Sequence, residues 1–75
     1  MYAYILVALD DSGVEDIVEE YRDMEEVEDA HILFGEWDLL IKVKTEEPES
    51  VARFVLEKVR SKDEVRLTST LIVAK

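Results

Sequence analysis

The 75-residue chain contains no cysteine, no asparagine and no glutamine. Without cysteine there is no disulfide and no thiolate ligand. His31 is the only histidine, so a zinc site would rest almost wholly on carboxylates, a poor donor set for that metal. Missing amides together with abundant charge fit a thermophilic source. Basic residues are also few: nine face nineteen acids, and the formal net charge is −10. The nine are scattered along the chain rather than clustered. Phosphate backbones and anionic membranes are bound by basic patches, so direct binding to nucleic acid or to a membrane is not expected. Long hydrophobic runs are absent too. The run Tyr2–Leu9 after Met1 has no basic n-region and no small-residue cleavage site, and it is far short of the roughly 20 residues of a membrane span. It reads as a strand, and a cytoplasmic location follows by default.

What is present is a globular composition, 48% apolar and 37% charged. The length suits one domain over residues 1–75. A domain of this size buries only about 60% of its unfolded surface, so partnership with further copies is expected before any motif is read.

The apolar pattern divides the chain into six elements. Residues 2–9 are apolar at both alternating sets of positions, as in a strand covered on both faces. Asp10-Asp11-Ser12-Gly13 breaks the run, and Ser12 with Glu15 matches a capping box. Val14, Ile17, Val18, Tyr21 and Met24 then fall on one face of a helix over 14–26, with acids opposite. Residues 27–34 and 37–44 read as two strands joined at Gly35-Glu36 in a tight antiparallel hairpin. Pro48 suits the first turn of a second helix, whose stripe is Val51, Phe54, Val55 and Val59. Residues 65–74 form the last strand. The order βαββαβ is the ferredoxin-like, α+β arrangement. Both crossovers contain a helix, as parallel neighbours require. Two helices cover one face of a four-stranded sheet. The other face is expected to gather Tyr2, Tyr4, Leu6, Ile32, Phe34, Leu40, Thr70 and Ile72. An apolar face of that size predicts a dimer formed by packing sheet on sheet.

Two short segments carry chemistry beyond what a fold needs. The first is Gly35-Glu36-Trp37-Asp38. A turn explains the glycine, but a carboxylate beside free turn amides could also hold a zwitterion. The second is Thr68-Ser69-Thr70, three hydroxyls inside an apolar strand. Thr is a good strand former, whereas Ser69 lies between Leu67 and Leu71 on its face and needs a partner. Asp10 to Gly13 could receive an amine at a helix entrance, although capping explains it. No Ser/His/Asp, P-loop or metal-ligand signature occurs, so neither catalysis nor a cofactor is expected.

Taken together, Val27, Ala30, Gly35, Trp37, Asp38, Val65, Thr68 and Thr70 resemble the pattern of the Lrp/AsnC effector-binding (RAM) domain. The first strand and helix fit in length, so the resemblance covers the chain. It implies a ferredoxin-like domain that dimerises through its sheet faces into an αβ barrel or sandwich. Four or five such dimers would form a ring, an octamer or a decamer. It also implies an amino acid or related effector bound between dimers. Carried over residue by residue, that site would hold Gly35, Glu36, Trp37 and Asp38 with Thr68, Ser69 and Thr70. Asp38 would face the ligand's ammonium and the loop amides its carboxylate, while Glu36 would repel that carboxylate. Full-length members carry an N-terminal helix-turn-helix domain. A chain that starts at the first strand is expected to act without one, alone or co-assembled with a full-length regulator. Two further readings stay open. An ACT-like regulatory domain would bind amino acids at Asp10 to Gly13. A small dimeric αβ-barrel enzyme of the monooxygenase type would use His31 inside the barrel.

Overall fold

The computed structural model describes residues 1–10 and 13–75. Its elements run β1 (Tyr2–Leu9), α1 (Val14–Arg22), β2 (Val27–Ile32), β3 (Leu39–Lys44), α2 (Pro48–Phe54) and β4 (Val65–Ile72), with a π-helical turn over Val55–Val59 continuing α2. The α+β, ferredoxin-like architecture expected from the βαββαβ order is the one observed. The expected capping box at Ser12 lies outside the described residues. Gly13, with φ at 100°, occupies the position before α1, a backbone angle that suits a residue without Cβ.

The sheet order is β2-β3-β1-β4, and every neighbouring pair is antiparallel. The expectation of parallel neighbours is corrected here. Each helical crossover joins strands of the same direction, but one strand lies between them. β1 is central. Its Ala3, Ile5 and Val7 are fully buried beneath the helices, beside Leu39, Ile41 and Val43 of β3. Ile17, Val18 and Tyr21 of α1 and Val51 and Phe54 of α2 complete this core. The Tyr21 and Phe54 rings meet at 6.4 Å and 59°, the tilted contact aromatic pairs favour.

α1 ends at Arg22, one turn short of the expected limit. The chain then tightens, with the Met24 N–H donating to the Tyr21 carbonyl and the Val27 N–H to the Met24 carbonyl. The hairpin is also looser than expected. β2 stops at Ile32 and β3 starts at Leu39, and the Leu33 N–H donates to the Asp38 carbonyl at 2.9 Å. A six-residue loop therefore replaces the two-residue turn. At the end of α2 the Arg60 N–H donates to the Val55 carbonyl at 2.7 Å, the i to i+5 bond of a π turn.

Register decides which side chains share the open face. Tyr4 pairs with Lys42 and Leu71, and Leu6 with Leu40 and Ser69. His31 pairs with Leu40, so it joins them. Ile32 instead pairs with the buried Leu39, Thr70 with Ile5 and Ile72 with Ala3. These three belong to the helix-covered face, and their expected place on the open face is corrected. The last strand is one residue out of the expected phase, so Leu67 and Leu71, about half exposed, supply its apolar side chains to the open face. Phe34 lies in the loop beyond β2 and is fully exposed.

Candidate functional site

β4 is an edge strand, and its first residues carry a bulge. Ala8 pairs with Leu67 but Leu9 pairs with Val65, which leaves Arg66 as the extra residue. A bulge bends its strand and re-aims a side chain. Arg66 accordingly borders two hollows. One, of about 320 Å³, is lined by Ala8, Glu36, Trp37, Arg66 and Leu67. The other, of about 400 Å³, is lined by Arg60, Val65, Arg66, Leu67 and Thr68. A third, of about 340 Å³, runs between α2 and β4 past Val51, Val55, Leu56, Arg60, Thr68, Thr70 and Ile72. Each falls in the rough 300–1,000 Å³ range of small-molecule sites. Shared residues join them end to end around the start of β4.

The loop residues divide by role. Gly35 has φ at 130° and open space around it, so backbone conformation is what the glycine supplies there. Glu36 and Trp37 line the first hollow. Asp38 is half-buried and tied to β1: its Oδ2 accepts from the Leu9 N–H at 2.7 Å, and its N–H donates to the Val7 carbonyl at 2.8 Å. Its carboxylate thus takes a strand-end amide that lies beyond the last pair of the β1–β3 ladder, Val7 with Leu39.

Thr68-Ser69-Thr70 divides as alternation demands. Thr68 and Thr70 face the hollow beside α2, whereas Ser69 pairs with Leu6 on the open face. Thr68 therefore meets Glu36 and Trp37 only through Arg66 and Leu67. Arg60 and Arg66 were missed by sequence reasoning. The available signal was two of the nine bases flanking the turn before the last strand in an acidic chain. The bulge that aims Arg66 leaves no mark in the apolar pattern.

The remaining candidates stand apart. His31 Nε2 lies 3.1 Å from Asp29 Oδ2, both about half exposed. Gly13 borders a hollow with Val14, Glu15 and Asp16, two acids of the first turn of α1. Those acids complement the positive end of the helix and would oppose a ligand's carboxylate. Asp11 and Ser12 lie outside the described residues. Among the described residues, no group of three or more His, Asp or Glu is placed to hold a metal, and no helix is long and apolar enough to cross a membrane.

A family profile described as the Lrp/AsnC ligand binding domain matches residues 2–75. The chain belongs to this family. Among similar sequences, an uncharacterized HTH-type transcriptional regulator from Pyrococcus abyssi is 38% identical over 73 residues, covering 93% of this chain and 49% of the relative. This Lrp/AsnC domain thus spans about half the length of the curated relatives it matches. Those relatives come from thermophilic Pyrococcus species, in keeping with the amide-free composition. Among solved structures, FFRP-DM1 superposes with a TM-score of 0.88 at 33% identity, covering 96% of each chain. A transcriptional regulator from Neisseria meningitidis, solved in complex with L-Met, superposes at 0.85 with 26% identity, covering 99% of this chain and 49% of that one.

Proposed function

We propose that this Lrp/AsnC domain binds a small effector, an amino acid, and oligomerises in response, with no chemistry of its own. The observation that carries this reading is the junction at the start of β4. There Trp37 and Glu36 of the loop and Thr68 of the last strand border hollows that Arg66 joins. The L-Met complex of the Neisseria regulator supports an amino acid as the ligand class. The site is built on Glu36 and Trp37 with Thr68 and Thr70, and copies of the chain complete it; Gly35 shapes the loop, and Ser69 lies on the open face. Asp38 holds the loop in place through Leu9.

The open face supports a homodimer. Tyr4, Leu6, Leu40, Leu67 and Leu71 supply its apolar area, and dimers would join into a ring of four or five. The effector would sit between dimers and bias that assembly. A full-length regulator is a partner of matching fold, since the helix-turn-helix relatives share this domain over about half their length. The net charge of −10 leaves DNA reading to such a partner.

Calorimetry of the purified chain against the twenty amino acids, paired with sedimentation velocity, tests the reading. Expected are saturable binding of at least one amino acid and a change in sedimentation with it. Silence for all twenty would remove the effector half. Binding mapped to Gly13 would favour the ACT-like reading.

A further inference from the structure

The hollows around β4 have an uneven chemistry that points to one kind of ligand. In a chain of net charge −10, the middle hollow brings two guanidinium-bearing side chains together: Arg60 from the π turn after α2, and Arg66 from the bulge of β4. The Thr68 hydroxyl-bearing side chain shares the hollow. The adjoining groove is apolar along α2, with Val51, Val55 and Leu56 facing Ile72. Paired guanidiniums match planar anions, because each presents a fixed fork of donors to two oxygens. Two acids stand near. Asp10 Oδ1 lies 3.6 Å from Arg66 Nε with both side chains more than half exposed, longer than a hydrogen bond and screened by solvent. Glu36 lines the neighbouring hollow that Arg66 also borders.

We infer that Arg60 and Arg66 clamp the carboxylate of an apolar effector whose side chain lies in the groove between α2 and β4. This rests on the effector reading above and narrows it to apolar amino acids or their carboxylate analogues. Both irregularities of the fold serve the clamp. The π turn sets where Arg60 leaves the helix, and the bulge turns Arg66 out of the strand's alternation. Regular alternation would keep Arg66 on the face of Thr68 and Thr70, and the bulge lets it border the hollow of Glu36 and Trp37 as well.

Amide chemical-shift titration of the full chain with L-methionine, L-methioninamide and 4-(methylthio)butanoate tests this. L-methionine is expected to shift the amides of Arg60, Arg66, Leu56 and Thr68 and to quench or enhance Trp37 emission. The amide, which lacks the carboxylate, is expected to bind at least about tenfold more weakly. Arg60→Gln and Arg66→Gln are each expected to weaken L-methionine by about tenfold or more, the size of one charge-assisted hydrogen bond. Both substitutions are at the surface, and the wild-type shift map is a second readout should either variant unfold. L-methionine binding that both variants leave within about twofold, or shifts confined to Gly35–Asp38, would overturn the clamp and leave the effector reading standing. Binding of only polar or charged amino acids would do the same. Binding of 4-(methylthio)butanoate at Arg60 and Arg66 with no amino acid bound would support the clamp and remove the amino-acid reading. Silence for all three probes, with silence for the twenty amino acids, would overturn both.

Discussion

Asp38 is held by two bonds to one strand. Oδ2 accepts from Leu9 and the backbone N–H donates to Val7, so the loop before β3 is pinned to the end of β1. Removing the acceptor leaves a part-buried Leu9 amide without its charged partner. Asp38→Ala is expected to cost about 1–3 kcal/mol of stability, the range for leaving a buried donor without its acceptor. For a domain this small that is roughly a 4–8 °C fall in Tm for each kcal/mol. Asp38→Asn keeps an acceptor oxygen and is expected to lose less. Thermal denaturation without any ligand reads both variants. Equal Tm values for wild type and Asp38→Ala would show that the bond to Leu9 contributes nothing. Gly35 needs a different argument. At φ 130° its backbone lies where side chains strain it, although a Cβ would meet no neighbour. Gly35→Ala is expected to cost about 1 kcal/mol by urea denaturation, through backbone strain alone.

At the scale of elements, Tyr21 ties α1 to the π turn. Its ring is buried and its hydroxyl donates to the Lys58 carbonyl at 2.8 Å, one of the carbonyls a helix end leaves unpaired. Tyr21→Phe is expected to cost about 1–2 kcal/mol, because it strands that carbonyl without changing the ring packing. Burial, with Glu20 and Glu64 nearby, pushes the Tyr21 phenol well above its ordinary value of about 10. The folded state therefore holds this proton more tightly than the unfolded chain does. The stabilisation is complete below about pH 10 and is lost as the pH rises above it. Urea midpoints between pH 8 and 11.5 are expected to fall steeply in the wild type and less steeply in Tyr21→Phe. Parallel slopes would mean that another group governs alkaline unfolding. The elements themselves were legible where apolar spacing was strong. Ala3, Ile5 and Val7 mark β1, Ile17, Val18 and Tyr21 mark α1, and all six elements came in the right order. What the pattern missed is where hydrogen bonds override it. Asp38 is drawn to β1, so the hairpin loop lengthens, and Arg66 drops out of the ladder, so the phase of β4 shifts by one. That shift moved Thr70 and Ile72 to the helix side and brought Leu67 and Leu71 to the open face. It also hid the pairing of Arg60 with Arg66, which depends on a bulge and a π turn rather than on composition.

At the scale of the molecule, an apolar face and a high net charge pull association in opposite directions. Two copies carry −10 each, and their mutual repulsion opposes a dimer at low ionic strength. The open face softens this locally. Lys42 Nζ lies 4.4 Å from the Tyr2 ring centroid and 5.9 Å from that of Tyr4, so cationic charge covers aromatic area within the face. The contact expected to hold the copies together is apolar, through Leu6, Leu40 and Leu71, and salt does not weaken such contacts. Dimerisation is therefore expected to strengthen as salt rises from about 0.01 M, where charges act over roughly 30 Å, to about 1 M, where they act over roughly 3 Å. Leu6→Glu places a charge at the centre of the face and is expected to give a folded monomer at every salt concentration. Leu56→Glu, on the exposed side of the turn after α2, is expected to leave the dimer intact. Sedimentation equilibrium of the three proteins across that salt range decides the matter. A wild-type dimer that dissociates as salt rises would mean that ion pairs hold it. A Leu6→Glu dimer as tight as the wild type would mean that the copies meet through some other surface.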